Sequence, residues 1–221
     1  GAYGASAATF NGDQISRLLD DADGVGRRGR EGTGFHDGQI NQVIAHKTGL
    51  CKIQPGDEIL LGAKPTGTLT LDALLPGKRL HLIGTGTGLA PWMSIIRDPE
   101  AYERYEKITV QHTVRQVEDL AFRDVLESQL ADDPLVADEA KQKLIYDPSV
   151  TKCPTWTDEN RRITQRIASG DYPLDPEFDR VMLCGSMAMI KETGALLESL
   201  GSTEGAQSQP GTYVLERAFV G

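Results

Sequence analysis

The chain has 221 residues, 39% hydrophobic and 25% charged, the balance of a globular protein long enough for one large domain or two small ones. A formal net charge of −9 argues against nucleic acid as the main partner, because phosphate binding relies on clustered Lys and Arg. No apolar run reaches the length of a membrane span, and Gly1-Ala2-Tyr3-Gly4-Ala5-Ser6 has neither the basic head nor the apolar segment of a secretory signal, so a cytoplasmic chain without membrane contact is expected.

Residues 1–50 are glycine-rich with broken periodicity, and Arg27-Arg28-Gly29-Arg30 reads as a solvated loop in preference to a docking patch. From about Gly49 the texture becomes regular. Pro55-Gly56-Asp57 is a turn before the strand-like Glu58-Ile59-Leu60-Leu61-Gly62, and Lys64 to Leu69 leads into a second strand-like run, Leu71 to Leu75. These read as the end of an all-β unit. Pro76-Gly77-Lys78 then marks a domain boundary near residue 77.

Beyond it, strands are expected at 79–83, 107–113, 142–146, 180–184 and 212–216, with helices between most of them. In 187–200, Met189, Thr193, Leu196, Leu197 and Leu200 share a face at helical spacing and Gly201 is a suitable terminator, while Ile163 and Ile167 before Ser169-Gly170 mark a shorter helix. Alternating strands and helices predict a mostly parallel sheet covered on both faces, with ligands at the carboxyl ends of the strands. Three such ends carry candidate chemistry: Gly84 to Pro91, Arg115, and Cys184-Gly185-Ser186.

The first is the most informative. Gly84-Thr85-Gly86-Thr87-Gly88-Leu89-Ala90-Pro91 reads as strand, glycine turn and helix, where glycine permits close backbone approach and Pro91 suits the first helical turn. Unpaired N–H groups at such a turn favour an anion, most often a pyrophosphate, although a ligand-free tight turn has the same sequence. Cys51, Cys153 and Cys184, scattered and odd in number, fit free thiols better than a disulfide framework or a metal site, and no metal is expected.

Together, Gly84 to Pro91, Val181-Met182-Leu183-Cys184-Gly185-Ser186 and Tyr213-Val214-Leu215-Glu216-Arg217-Ala218-Phe219-Val220 resemble the bacterial ferredoxin (flavodoxin)–NADP⁺ reductases, supported by Lys64 to Leu69 and by Ser94-Ile95-Ile96-Arg97-Asp98. The resemblance implies an α/β nucleotide-binding domain over 78–221, with a parallel sheet and helices on both faces. Before it, over 1–77, comes an antiparallel FAD barrel that is partial or divergent. It also implies hydride transfer between NADPH and FAD, single-electron exchange with a ferredoxin or flavodoxin, and a monomer. In that scheme Thr85, Gly86, Thr87, Gly88, Gly185 and Ser186 lie along the nucleotide, and Arg115, Lys152 and Arg162 meet the adenosine 2′-phosphate. Cys184 positions the nicotinamide without forming a covalent bond, Glu216 sits near the flavin, Ala218 lies against the isoalloxazine, and Phe219 stacks on the adenine of FAD. Where the family carries Arg-x-Tyr-Ser on its barrel, this chain has Gly1-Ala2-Tyr3-Gly4, leaving Tyr3 as the matching flavin contact. Two other functions use a similar module: a nucleotide-binding remnant without flavin, and the reductase component of an oxygenase. The latter finds no four-cysteine cluster pattern here.

Overall fold

The computed structural model describes residues 68–153, 155–156 and 161–216. Within them, Thr68 to Glu216 form one compact unit. Tyr3, Ala218, Phe219, the arginine cluster at 27–30 and the turns and strand expected between 49 and 67 lie outside the described residues.

The strands are β1 (Arg79–Thr85), β2 (Lys107–Val114), β3 (Leu144–Val150), β4 (Asp179–Cys184) and β5 (Tyr213–Leu215). They form a five-stranded sheet in the order β3-β2-β1-β4-β5, and every pairing is parallel. The central strands are nearly continuous apolar runs, as a sheet covered on both faces requires; β4 is buried at every position and β1 from Leu80 to Gly84.

The helices are α1 (Ala90–Ile95), α2 (Pro99–Arg104), α3 (Arg123–Glu127), α4 (Ala137–Lys143), α5 (Ile163–Ser169) and α6 (Met187–Ser199). Right-handed crossovers set which face each one covers. The chain steps from β1 to β2 to β3 in one direction through α1–α4. It returns through α5 to β4, and α6 then carries it outward to β5. On the α5/α6 face, Ile83, Val181 and Leu183 pack with Ile163, Ile167, Met189, Ile190 and Leu197. On the opposite face the direction a side chain would take from Gly84 meets the indole of Trp92 in α1.

Local chemistry sets several boundaries. The Ser186 hydroxyl accepts a hydrogen bond from the Met189 N–H at 3.3 Å and caps α6. Gly170 ends α5 at φ +80°, a left-handed conformation that glycine adopts without strain. Asp98 caps α2 through the Glu100 N–H at 3.0 Å.

Three expectations are corrected. Leu71 to Leu75 is not a strand: Leu71–Ala73 is a 3₁₀ turn and Leu74 makes a single bridge to Gly211. Leu71, Ala73 and Leu74 are all buried, which no alternating strand would achieve, so this segment packs with the α/β unit. The third strand runs over Leu144–Val150, later than 142–146, because α4 continues to Lys143; Pro148 is tolerated there since β3 is an edge strand. Leu200, expected on the inner face of α6, is 46% exposed, whereas Ile190 and Gly194 are buried in its place.

Arg180 ties the entry segment to the sheet. Its buried guanidinium donates to the carbonyls of Leu75 at 3.0 Å and Pro176 at 2.9 Å, and also to that of Pro76. No described helix is long and apolar enough to cross a membrane.

Candidate functional site

In an open parallel sheet the ligand crevice forms where the strand order reverses, outside the carboxyl ends. Here that point lies between β1 and β4, whose chains leave in opposite directions. The turns that follow these two strands are the glycine turn, Gly86–Leu89, and Cys184-Gly185-Ser186.

The two turns are built back to back. Thr85 Oγ1 accepts a hydrogen bond from the Ser186 N–H at 2.8 Å. A side chain at Gly88 would overlap the carbonyl of Cys184, and one at Gly185 would overlap the Thr85 hydroxyl. Gly185 also lies at φ +141°. Gly88 and Gly185 are therefore glycines because two backbones touch, while Gly86, at φ +53°, is glycine for its conformation and faces open space. Behind the turn, the buried imidazole of His112 on β2 meets the Gly86 carbonyl, with Nε2 at 3.0 Å.

Cys184 ends β4 with 6% of its surface exposed. Burial, and secondarily the Glu216 carboxylate, push its thiol up to about 12, so it stays protonated near neutrality and is a poor nucleophile. Glu216 is brought to it by the backbone: its N–H donates to the Leu183 carbonyl at 2.9 Å as the chain leaves β5. The structure thus joins Cys184, Glu216, Thr85 and the turn Gly86–Gly88 around the head of β1 and β4.

The expected cations share the carboxyl edge. Beyond β2 and β3 the ladder continues, with the Thr151 N–H on the Val114 carbonyl and the Lys152 N–H on the Arg115 carbonyl, each at 3.0 Å. Arg115 and Lys152 are thus neighbours, and both are exposed. Arg162 is exposed at the start of α5, where its N–H donates to the Gln165 side-chain oxygen at 2.9 Å. A crossover helix runs antiparallel to its strands, so that start lies at the carboxyl edge too. Among the described residues no carboxylate pairs with Arg115, Lys152 or Arg162, whereas the adjacent Arg161 is bound to Asp171 at 2.7 Å.

Two polar clusters went unseen in the sequence. Under the carboxyl edge, buried Gln111, Thr113 and Ser149 bond to one another, with Thr113 Oγ1 to Ser149 Oγ at 2.8 Å. At the amino end, Asp179 receives a bidentate Arg79 pair and lies 3.2 Å from His81 Nε2, while His81 Nδ1 meets the Tyr172 hydroxyl at 2.8 Å. The second cluster is far along the strands from the crevice and holds β1 to β4.

Residues 82–194 match the oxidoreductase NAD-binding domain family. The chain is 47% identical over 176 residues to ferredoxin–NADP reductase A of Sorangium cellulosum, covering 76% of this chain and 63% of that protein. It is 43% identical over 192 residues to the ferredoxin–NADP reductase of Pseudomonas aeruginosa, covering 83% and 71%. This chain belongs to the ferredoxin/flavodoxin–NADP reductase family. Among solved structures of the family, a ferredoxin–NADP⁺ reductase from Neisseria gonorrhoeae with bound FAD and NADP superposes with a TM-score of 0.64 at 28% identity, over 76% of this chain and 68% of that one. The chain therefore spans about two thirds of the length of these reductases, and the crevice described above lies within the family's NAD-binding domain.

Proposed function

We propose that this chain is a flavin-dependent reductase that passes electrons between NADPH and a ferredoxin or flavodoxin. Residues 78–221 cover its NADP-binding domain and C-terminal tail, with Thr68 to Gly77 part of the same compact unit, and the residues before them its partial or divergent flavin barrel. The observation that carries the reading is the meeting of Thr85, Gly88, Cys184, Gly185 and Ser186 at the β1/β4 switch point, with Glu216 returning beside Cys184. Bound FAD would supply hydride acceptance from the nicotinamide and single-electron release to the protein partner.

The described residues suit the nucleotide. The glycine turn offers first-turn N–H groups to a pyrophosphate. Arg115, Lys152 and Arg162, at one edge and without paired carboxylates among the described residues, suit a 2′-phosphate dianion and so favour NADP over NAD. Cys184, neutral and held at the strand end, would help position the nicotinamide ring beside it; its role is placement. Glu216 would sit close to the flavin and organise protons or charge there. Tyr3, Ala218 and Phe219 are proposed to contact the flavin. The protein acts as a cytoplasmic monomer.

The test is flavin content and turnover. Purified full chain reconstituted with excess FAD is expected to be yellow and to reduce ferredoxin or flavodoxin with NADPH. A chain that stays colourless but binds NADP⁺ would instead be a nucleotide-binding remnant, and the reductase reading fails. Arg115→Ala and Arg162→Ala are each expected to weaken NADPH by about 1.5–3 kcal/mol and leave NADH nearly unchanged, since the lost charge-assisted bond exists only with the phosphorylated nucleotide.

A further inference from the structure

His112 is fully buried on β2, and its Nε2 lies 3.0 Å from the Gly86 carbonyl oxygen. A carbonyl oxygen only accepts, so Nε2 carries the proton, and Nδ1, buried with no hydrogen-bond partner, is bare. The ring is neutral. Burial pulls its pKa down to about 4, against smaller opposing contributions from the Gly86 bond and from Asp119, the nearby charge. Register places it there: Gly84 pairs with His112, which sets the imidazole on the face of the sheet where the glycine turn begins.

The consequence follows from peptide geometry. In a trans peptide the C=O and the following N–H point in opposite directions. Gly86 sits at φ +53° with no atom within 4 Å of the place a side chain would take, and it opens the 3₁₀ turn Gly86–Leu89, so the His112 bond acts together with that turn on the Gly86–Thr87 peptide. With the Gly86 oxygen drawn onto His112, the Thr87 N–H is turned away from the core. We propose that His112 is a positioning residue for the nucleotide: its Nε2–H holds the Gly86 carbonyl at the head of the 3₁₀ turn, so that the Thr87 N–H faces the crevice as an anion donor. The inference rests on the reading of this crevice as the NADP(H) site and assigns a role to a residue that touches no ligand.

Two substitutions separate donor from filler. His112→Phe keeps an apolar ring of similar size without the donor, and His112→Gln puts an amide nitrogen near the place of Nε2. Titrating the full chain with NADP⁺ and with 2′-AMP, which carries the adenosine phosphate but no pyrophosphate, is expected to show NADP⁺ weakened about tenfold by His112→Phe, as for one lost hydrogen bond, with 2′-AMP changed less than about twofold. His112→Gln is expected to recover most of that loss. Unchanged NADP⁺ affinity in His112→Phe, equal losses for both ligands, or no recovery in His112→Gln each overturn the proposal. If His112→Phe does not fold, the imidazole ¹⁵N resonances of the native chain decide. The expected signature is an Nε2–H tautomer that does not titrate between about pH 5 and 9 and shifts on NADP⁺ addition; an Nδ1–H tautomer, a ring titrating in that range, or no shift with NADP⁺ overturns it. A native chain that binds neither NADP⁺ nor 2′-AMP overturns the crevice reading itself, and this inference with it.

Discussion

Gly88→Ala is the sharpest test of how the crevice is built. The three atoms nearest an added methyl are the Cys184 carbonyl oxygen, the Cys184 carbonyl carbon and, at 2.9 Å, the Gly185 Cα. All are backbone, so no side-chain rotation relieves the overlap. The two turns must part by on the order of 1 Å to reach ordinary carbon contact distances. That movement also strains the 2.8 Å hydrogen bond from the Ser186 N–H to Thr85 Oγ1, which joins the same two turns. Overpacking of this kind costs about 1–3 kcal/mol, and the weakened bond adds about 0.5–1.5 kcal/mol. At roughly 2–4 °C per kcal/mol for a protein of this size, the melting temperature should fall by about 3–18 °C. Gly86→Ala is the control: its φ of +53° makes alanine strained by about 1–2 kcal/mol, but no atom lies within 4 Å of the new methyl. Thermal melts followed by circular dichroism, with NADP⁺ titrations on the same samples, compare the two. If Gly88→Ala melts within about 2 °C of the native chain and binds NADP⁺ equally well, the back-to-back packing of the turns is wrong.

Further outcomes follow from particular residues. Asp179 is buried, which by itself would raise its pKa, but bonds from His81, Arg79 and the Asp175 N–H outweigh that and hold it at about 2, below its ordinary 3.8. A depressed carboxylate contributes stability that is complete above the unfolded value and lost as pH falls, so about 2 kcal/mol should disappear between about pH 4 and 2 in urea titrations; Asp179→Asn should abolish that part of the pH dependence, and an unchanged profile refutes the assignment. Arg180→Met leaves the carbonyls of Leu75, Pro76 and Pro176 without their buried donor and should cost about 2–4 kcal/mol in denaturant unfolding, against under 1 kcal/mol if these bonds are incidental. Cys153, whose thiol is lowered chiefly by its bond to the Thr155 hydroxyl, should react with iodoacetamide at pH 8 well before buried Cys184, as mapped by mass spectrometry; the reverse order would contradict a protonated Cys184.

What was legible in the sequence and what was not divides along a physical line. Leu80 to Ile83 and Val181 to Cys184 read as strands because central parallel strands are buried on both faces, so their apolar runs need no partner to be recognised. The two turns at the switch point were legible for a related reason: glycines clustered at strand ends report backbone approach, and Gly88 and Gly185 are glycines because each other's chain occupies the space. Leu71 to Leu75 misled because Leu71, Ala73 and Leu74 are buried as a 3₁₀ turn and a single bridge, whose backbone partner, Gly211, lies far along the chain. His112 and Asp179 were opaque for the strongest version of that reason. Each is a buried polar residue of a strand, and its partner is chosen by register: the pairing of Gly84 with His112, and of Arg79 with Asp179, puts each side chain on the face where its partner waits. A slip of one residue would turn His112 to the opposite face and leave the Gly86 carbonyl without it. The register that closes the core is thus the same register that sets the glycine turn, so positioning of the crevice is a product of sheet assembly and cannot be read from the local sequence around either residue.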